Sequence, residues 1–457
     1  MSLQEIYDRT PIALQNIAIS LAGYQRNLSR YGRAYWQYRR WLENFDTWNI
    51  DNKLAYQNAE LSRFITDAVN SSPFYRHLYA GIDLRTIRNT DDIARLPIVD
   101  KEALRVNMSE IYTVPRRRAV EGHTGGTTGK SLVVRITPED MMKRMAQLDH
   151  FKHRHGFEHR KMRRATFSGK HVVPMREDTE IFWRYNAACK QMLYSTFHLT
   201  QENMSRYVSN LNQFKPHALD GFFTSMIDIA NYIERNNIEL RFRPLAIFPT
   251  SETVTETGRA LLERVFGARV YDQYASSEGA PFVTECQEGT LHIELASGVF
   301  ETSDDGEILV TSFTTHATPL IRYRIGDSMS FGGIIDCACG ITSPRVLSIS
   351  GRKDDFLYRA DGAKINGGNV ANLFKNMPNA LIKAQVVQNS MDKVTVLLVA
   401  DQALYKDEYD ELLRDEFKHK FGPQTQLILQ HVPDIPREAS GKHRLIKNSL
   451  ATRPTDD

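Results

Sequence analysis

A stretch rich in glycine and threonine has the composition of an anion-binding loop. It consists, in chain order, of Thr124, Gly125, Gly126, Thr127, Thr128, Gly129 and Lys130. The glycines let the backbone approach an anion with its amides directed inward, while the hydroxyls and Lys130 add donors and a positive charge. Phosphate is the expected ligand. The stretch is not a Walker loop, because Thr124 stands where that motif needs glycine and a strand pattern follows where it needs a helix. The spacing predicts a plain hairpin turn equally well.

Three cysteines and a histidine form a second group with chemical potential. Cys286 and His292 are separated by five residues, and Cys337 and Cys339 follow further along the chain. Three thiolates and one imidazole complete a tetrahedral zinc site with no open position, which is the pattern of a structural metal. The spacing departs from the usual two-residue gap between paired cysteines, so four unrelated residues remain an alternative.

Four further segments follow the loop in a fixed order. They are Tyr274-Ala275-Ser276-Ser277-Glu278-Gly279, Tyr323-Arg324-Ile325-Gly326-Asp327, Gly351-Arg352-Lys353-Asp354-Asp355 and Pro436-Arg437-Glu438-Ala439-Ser440-Gly441-Lys442. With the loop, they resemble the adenylate-forming superfamily of acyl-CoA ligases, peptide-synthetase adenylation domains and luciferases, over about residues 120 to 445. Segments 182–186, 195–199 and 250–253 are most similar to the phenylacetate-CoA ligase branch, especially its capsular-polysaccharide-biosynthesis-type members.

The resemblance implies an ATP/AMP site with magnesium. Tyr274 is expected to line the adenine, Ser277 to contact the α-phosphate and Glu278 to bind Mg²⁺, roles that suit an aromatic face, a hydroxyl and a carboxylate. Asp327 is expected to accept both ribose hydroxyls, although a plain turn carboxylate is the alternative. By the same resemblance, two residues of segment 250–253 belong to the nucleotide site, namely Ser251 and Glu252. Similar Cys and His residues in the resembled subgroup favour the zinc interpretation.

The resemblance also makes Lys442 the residue on which catalysis depends. Attack of a carboxylate on the α-phosphorus brings two anions together, so an ammonium group that bridges them stabilises the developing charge. The resemblance places Arg352 beside the ribose, makes Asp354 a hinge and assigns Lys364 to a basic position of the same mobile domain. A disordered basic tail is the alternative interpretation of Lys442.

The element pattern must position these residues, and it predicts an α/β fold. Residues 14–79 carry apolar residues at helical spacing, whereas the strand pattern 133–136 precedes a helix and the pattern 245–248 precedes another. A β-rich subdomain is expected from residue 289 to 331, and a small α+β domain beyond it. We therefore expect a large N-terminal adenylation domain at 1–351, with a helical layer at 1–85, and a small mobile C-terminal domain at 352–457.

Composition excludes several classes of partner. The 457 residues carry a formal net charge of +3, with Lys and Arg spread along the chain, so no nucleic-acid partner is expected. The apolar stretch 12–23 is broken by polar residues, which predicts neither a signal peptide nor a membrane span. With four cysteines, no disulfide framework is indicated and a cytoplasmic location is expected.

The leading functional hypothesis is ATP-dependent activation of a carboxylic acid to an acyl-adenylate, followed by transfer to a thiol, with coenzyme A preferred. A second hypothesis transfers the acyl group to an amine, on a sugar or an amino acid, or to a carrier protein. A third is a non-catalytic nucleotide- or nucleic-acid-binding module. The sequence leaves the acid open, and it leaves the oligomeric state open, a homodimer included.

Overall fold

The computed structural model describes most of the chain. The described residues are 3–123, 132–174, 180–200, 202–252, 254, 256–303, 307–350, 356–366, 369–370, 372–374, 377, 380–400, 402, 404–435, 445–448 and 450. The predicted domain boundary between 351 and 352 lies outside them and stays a prediction.

The α-helices of this part of the chain fall mainly in its first half. They are α1 (Leu3–Arg9), α2 (Ile12–Arg30), α3 (Arg33–Asp46), α4 (Ile50–Ser71), α5 (Pro73–Leu78), α6 (Lys101–Val106), α7 (Met108–Ile111), α8 (Pro138–Arg154), α9 (Met204–Phe214), α10 (Phe223–Arg235), α11 (Glu256–Phe266) and α12 (Glu408–Phe421). Short 3₁₀ turns occur at Leu84–Thr86, Asp92–Arg95, Arg116–Arg118, Ala187–Cys189 and Asn372–Phe374. None of the helices so described is both long and apolar enough to cross a bilayer.

The strands form several separate sheets. In chain order they are β1 (Val120–His123), β2 (Val133–Ile136), β3 (Arg164–Ser168), β4 (Trp183–Asn186), β5 (Gln191–Ser195), β6 (Ala218–Phe222), β7 (Ala246–Thr250), β8 (Gln273–Tyr274), β9 (Val283–Glu285), β10 (Leu291–Ile293), β11 (Gly298–Thr302), β12 (Ile308–Ser312), β13 (Tyr323–Arg324), β14 (Ser328–Asp336), β15 (Thr342–Ser350), β16 (Phe356–Tyr358), β17 (Lys364–Asn366), β18 (Leu381–Ser390), β19 (Lys393–Ala400), β20 (Gln426–His431) and β21 (Ile446–Asn448).

Helices α1–α5 confirm the predicted helical layer. Buried residues on α3 and α4, among them Leu42, Phe45, Leu61 and Phe64, join one hydrophobic core with residues of the β-rich part of the chain. Because this apolar stripe recurs at helical spacing, burial of one face orders each helix against the domain.

The central sheet of the large domain has the strand order β4-β5-β3-β6-β7. Strands β5, β3, β6 and β7 are parallel, and β4 pairs antiparallel with β5 at the edge. Helices α9, α10 and α11 pack their apolar residues on this sheet. Since parallel strands end at the same edge, the residues that follow them line one crevice, which is where open α/β sheets bind ligands.

Helix α8 has strong local signals at both ends. The Thr137 hydroxyl accepts a hydrogen bond from the Asp140 amide, and Pro138 begins the helix. Glu139 lies in the first turn and Arg154 in the last, which matches the helix dipole. These signals explain why the predicted strand–helix order at this point is confirmed.

The β-rich subdomain contains two antiparallel sheets, of order β14-β15-β10-β9-β8 and β11-β12-β13. The small C-terminal domain contains the sheet β20-β19-β18-β21, the hairpin of β16 and β17, and helix α12. Phe197, which follows β5, packs into the core of this small domain, and the Arg359 guanidinium donates a hydrogen bond to the Phe197 carbonyl. The two domains therefore meet beside the crevice edge of the central sheet.

Candidate functional site

The crevice edge of the central sheet carries the predicted residues Ser251 and Glu252, directly after β7. Ser251 has a backbone φ of 66°, in the left-handed region that non-glycine residues seldom adopt. Its hydroxyl lies 3.0 Å from that of Thr250. The Gln273 side chain of β8 donates to the Pro249 carbonyl of β7, at 3.3 Å. This bond brings the segment after β8 next to the end of the central sheet.

Tyr274 and Asp327 come together at this place. The Tyr274 hydroxyl donates a 2.8 Å hydrogen bond to Oδ2 of Asp327. The Tyr274 ring also packs edge-on against Phe300, with ring centroids 6.1 Å apart. The two residues are far apart in the sequence, and the fold of the β-rich subdomain brings them into contact. An aromatic face and a carboxylate therefore stand side by side.

The segment after β8 presents Ser277 and Glu278. Ser277 is exposed and Glu278 is half-buried, and the Ser277 hydroxyl donates to Oε2 of Glu278 at 3.3 Å. The next residue, Gly279, has a φ of 112°, and a Cβ atom there would lie 2.6 Å from Cγ2 of Thr315. Glycine is required at this position by both its backbone conformation and its close approach to Thr315. The direction of the Ser277–Glu278 pair thus depends on a tight turn.

A buried arginine that no sequence motif indicated anchors this turn. Nη1 of Arg144 donates to the carbonyls of Gly279 and Ala280 at 2.9 and 3.0 Å, and to Oγ1 of Thr314 at 3.0 Å. Burial lowers the pKa of Arg144 to about 10, although the nearby Asp140 carboxylate opposes this. The group stays charged near neutral pH. Helix α8 also buries the polar residues Asp140, Gln147 and His150, so the helical pattern alone does not single out Arg144.

The four candidate metal ligands also come together. Cys286 follows β9 in the turn to β10, and His292 lies in β10. Cys337 and Cys339 lie in the turn between β14 and β15. Strand β10 pairs with both β9 and β15, so the two hairpin turns stand side by side. All four cysteine and histidine donor atoms lie within 4.8 Å of one another.

Two of the donor separations match the edges of one tetrahedral site. Sγ of Cys286 lies 3.8 Å from Sγ of Cys337, and Sγ of Cys339 lies 3.5 Å from Nε2 of His292. With zinc–sulfur bonds near 2.3 Å and zinc–nitrogen bonds near 2.1 Å, a tetrahedron has S···S edges of about 3.8 Å and S···N edges of about 3.6 Å. The geometry therefore supports a shared ion over four unrelated residues.

Neighbouring groups orient these ligands. The Glu288 amide donates to Sγ of Cys286, and the Ile341 amide donates to Sγ of Cys339, both at 3.4 Å. Nδ1 of His292 pairs with the Ser343 hydroxyl at 2.8 Å, which leaves Nε2 directed toward the thiols. Burial lowers the pKa of His292, so its neutral, metal-binding form is favoured. Such supporting bonds are typical around metal centres.

The remaining predicted site residues cannot be placed in the same way. Lys364 begins β17, opposite Tyr358. The whole phosphate loop at residues 124–130, together with Arg352, Asp354 and Lys442, lies outside the described residues. The loop's flanking strands β1 and β2 pair antiparallel, with His123 opposite Val133. The loop therefore lies between two antiparallel strands, and both interpretations of it, phosphate site and plain hairpin turn, stay predictions.

Comparisons with known proteins agree with this architecture. A family model described as the CapK C-terminal domain matches residues 357–449. Protein CapK of Staphylococcus aureus is 35% identical to this chain over 453 residues, which cover 98% of this chain and 100% of that protein. The similarity therefore extends over both domains.

More distant relatives include enzymes. Phenylacetate-coenzyme A ligase of Thermus thermophilus is 23% identical over 416 residues, covering 83% of this chain and 89% of that protein. The crystal structure of 2-hydroxyisobutyryl-CoA ligase in the postadenylation state, in complex with R3-HIB-AMP, superposes with a TM-score of 0.56. It has 18% identity and covers 88% of this chain and 91% of that one. At this identity, the structural likeness shows the shared fold.

Proposed function

The chain belongs to the CapK-like group of the phenylacetate-CoA ligase branch of adenylate-forming ligases, and we propose that it activates a carboxylic acid for transfer to coenzyme A. As a member of this family it is an ATP-dependent, acid-activating ligase. In the proposed first step a carboxylate oxygen attacks the α-phosphorus of ATP, a new P–O bond forms and pyrophosphate leaves. In the second step the thiol of coenzyme A attacks the acyl carbon, the thioester forms and AMP leaves with the proton released from sulfur.

The hydrogen bond between Tyr274 and Asp327 is the observation that carries this proposal. It fixes an aromatic ring beside a carboxylate at the crevice edge, and these two groups suit a purine and a ribose diol. A carboxylate has about four acceptor positions, so it can accept hydrogen bonds from more than one hydroxyl. We assign adenine to the Tyr274 ring and ribose to Asp327, with Arg352 beside it.

We further propose how charge is handled during the first step. The loop at 124–130 binds the phosphates, with Ser251 and Glu252 completing the nucleotide site. Ser277 contacts the α-phosphate and Glu278 holds Mg²⁺, a cation that prefers carboxylate and phosphate oxygens. Lys442 then bridges the carboxylate and the α-phosphate, and Lys364 supplies a second cation from the small domain. Supporting this proposal is the position of the Ser277–Glu278 pair next to Tyr274.

The group of Cys286, His292, Cys337 and Cys339 is proposed to hold structural zinc. Four protein ligands leave no position for substrate, so its role is to fasten two hairpin turns of the sheet that carries Tyr274. Reduced thiolates, ATP and coenzyme A are all compatible with the cytoplasm, where we propose the protein acts.

A pyrophosphate-release screen tests the proposal. The full-length protein is assayed against a panel of carboxylic acids, with and without coenzyme A, beside Lys442→Ala. A responsive acid, an acyl-CoA product and a strongly reduced rate in Lys442→Ala support it. Equal adenylation by Lys442→Ala would falsify the assigned role of that lysine. If release is followed by transfer only when an amine or a carrier protein is supplied, the acceptor is not coenzyme A, while acid activation stands.

A further inference from the structure

A carboxylate and two imidazoles from three distant segments meet where the domains adjoin. Asp8 lies on α1, His171 follows β3, and His419 lies on α12 of the C-terminal domain. Their donor atoms lie within 4.8 Å of one another, and all three residues are half-buried. Bonds near 2.1 Å to a shared ion need donor separations of about 3 to 4 Å, so small side-chain rotations suffice to complete a site.

His171 is presented by a tight turn. The Val172 amide donates to the Lys170 carbonyl at 3.0 Å, which forms a three-residue turn around His171. Among the described residues, neither ring nitrogen of His171 has a hydrogen-bond partner, although both atoms are buried. Leaving a buried polar group unsatisfied costs about 1 to 3 kcal/mol. A ligand on one nitrogen would remove part of that cost.

Helix α1 brings Asp8 to the same place. The Tyr7 hydroxyl donates to the Val172 carbonyl at 2.7 Å, so α1 is attached directly to the segment that carries His171. Nε2 of Gln4 donates to Oδ1 of Asp8 at 2.8 Å. A hydrogen bond of this kind orients a carboxylate, as the groups surrounding a metal ligand commonly do.

His419 completes the group from the other domain. Its ring centroid lies 4.9 Å from that of His171, with the planes inclined by 57°. Two imidazoles that share one tetrahedral ion have centroids about 5 Å apart when the bonds are near 2.1 Å. The adjacent Lys420 ammonium pairs with Glu416 at 2.7 Å, which offsets its repulsion of a cation.

We propose that Asp8, His171 and His419 bind a divalent transition-metal ion, with zinc the leading candidate, and that the ion ties the C-terminal domain to α1. Two imidazoles and a carboxylate suit Zn²⁺, Co²⁺ and Ni²⁺, and they leave one tetrahedral position for water. Because each ligand lies on a different segment, the complete site exists only while these segments stay together. Binding therefore stabilises this arrangement by mass action. Rotation of the small domain during turnover is part of the proposed function. If it occurs, the bound ion slows turnover because it holds the small domain against α1.

Titration of the purified full-length protein with Ni²⁺ alone, followed by calorimetry, tests the site. The wild-type protein is expected to bind about one equivalent beyond the ion retained by the cysteine cluster, and His419→Ala to lose at least tenfold in affinity. The matched control is His431→Ala, because His431 lies in the same domain but bonds to Asp410. Thermal unfolding without added metal verifies that each variant folds.

Two results separate binding from the tie between domains. Absence of added binding, or equal Ni²⁺ affinity in wild type, His419→Ala and Asp8→Asn, overturns the site. If the ion links α1 to the C-terminal domain, amide exchange in Leu3–Arg9 should be slower when Ni²⁺ is added to wild type, but not when it is added to His419→Ala. If Ni²⁺ leaves amide exchange in Leu3–Arg9 of wild type unchanged, the proposed link between α1 and the C-terminal domain is wrong. Neither readout requires catalysis, so failure here is distinguishable from failure of the proposed function.

Discussion

The hydroxyl of Tyr274 donates to Oδ2 of Asp327 across 2.8 Å, and this bond joins two sequence motifs that are far apart in the chain. Tyr274→Phe keeps the ring but removes the donor. A hydrogen bond to a charged group contributes about 1.5 to 3 kcal/mol, so we expect the KM for ATP to rise about tenfold or more. Steady-state kinetics at saturating acid measure this.

Two further variants make that prediction specific. Tyr38→Phe removes a hydroxyl of the helical layer that donates to the Ala296 carbonyl, and it should leave the KM for ATP unchanged. In an Asp327→Asn background, Tyr274→Phe should add less than it does alone, because the two groups act as one unit. Fully additive effects would contradict the assigned pair.

Gly279→Ala tests the tight turn that directs Glu278. Alanine at a φ of 112° is strained, and its Cβ lies 2.6 Å from Cγ2 of Thr315. We expect a loss of about 1 to 3 kcal/mol in the free energy of unfolding and at least a tenfold loss in kcat/KM for adenylation. Chemical denaturation and pyrophosphate release measure the two effects.

Matched variants separate strain from contact in that turn. Gly333→Ala meets no heavy atom within 4 Å and should change stability by no more than about 0.5 kcal/mol. Adding Thr315→Ser to Gly279→Ala removes the opposing methyl group and should restore part of the stability, while the strained φ remains. No recovery would show that backbone conformation alone requires glycine here.

Local signals allowed much of the architecture to be predicted from the sequence. Strand β2 and helix α8 were predicted because an apolar run at 133–136 precedes a helical stretch, and in the structure Thr137 and Pro138 mark the start of that helix. The metal group was predicted from three thiols and one imidazole, although their spacing left four unrelated residues as an alternative and the family resemblance favoured zinc. That the four residues share one place follows only from the structure, in which β10 pairs with both β9 and β15 and so places the two hairpin turns side by side.

Other features depend on packing that no local pattern encodes. Arg144 reaches the Gly279 and Ala280 carbonyls from another element, and its importance arises from burial at that contact. Likewise, Asp8 and His419 lie at opposite ends of the chain, and only the docking of the small domain brings them together. Residues that bind a common ligand occur in recognisable sequence motifs. A single residue that supports such a motif through one packing contact has no recognisable pattern of its own.

Removal of the proposed zinc should destabilise the β-rich subdomain. Purified wild-type protein should contain about one zinc per chain at the cysteine cluster, and Cys337→Ser should lose it and unfold about 10 °C lower. Elemental analysis and thermal unfolding measure these changes. Cys189→Ser is the control, since this buried free cysteine lies outside the cluster. Substoichiometric zinc that Cys337→Ser leaves unchanged would count against the site.

His155 should make stability depend on pH below neutrality. Burial lowers its pKa from 6.5 to about 4, with the neighbouring cations Arg154 and Arg269 acting in the same direction and a hydrogen bond to the Glu285 carbonyl opposing it. Between these two pKa values the unfolded chain binds more protons than the folded one. The stabilisation is therefore complete above pH 6.5 and is lost as the pH falls toward 4.

The comparison with His155→Gln isolates this effect. Glutamine can donate to the same carbonyl but does not titrate, so the other histidines cancel in the difference between wild type and variant. As the pH falls from 6.5 to 5, the free energy of unfolding of wild type should decrease relative to the variant, by up to about 1.4 kcal/mol per pH unit. Above pH 7.5 the difference should be constant. Chemical denaturation across this range measures it, and a difference independent of pH would mean that folding leaves the pKa of His155 unchanged.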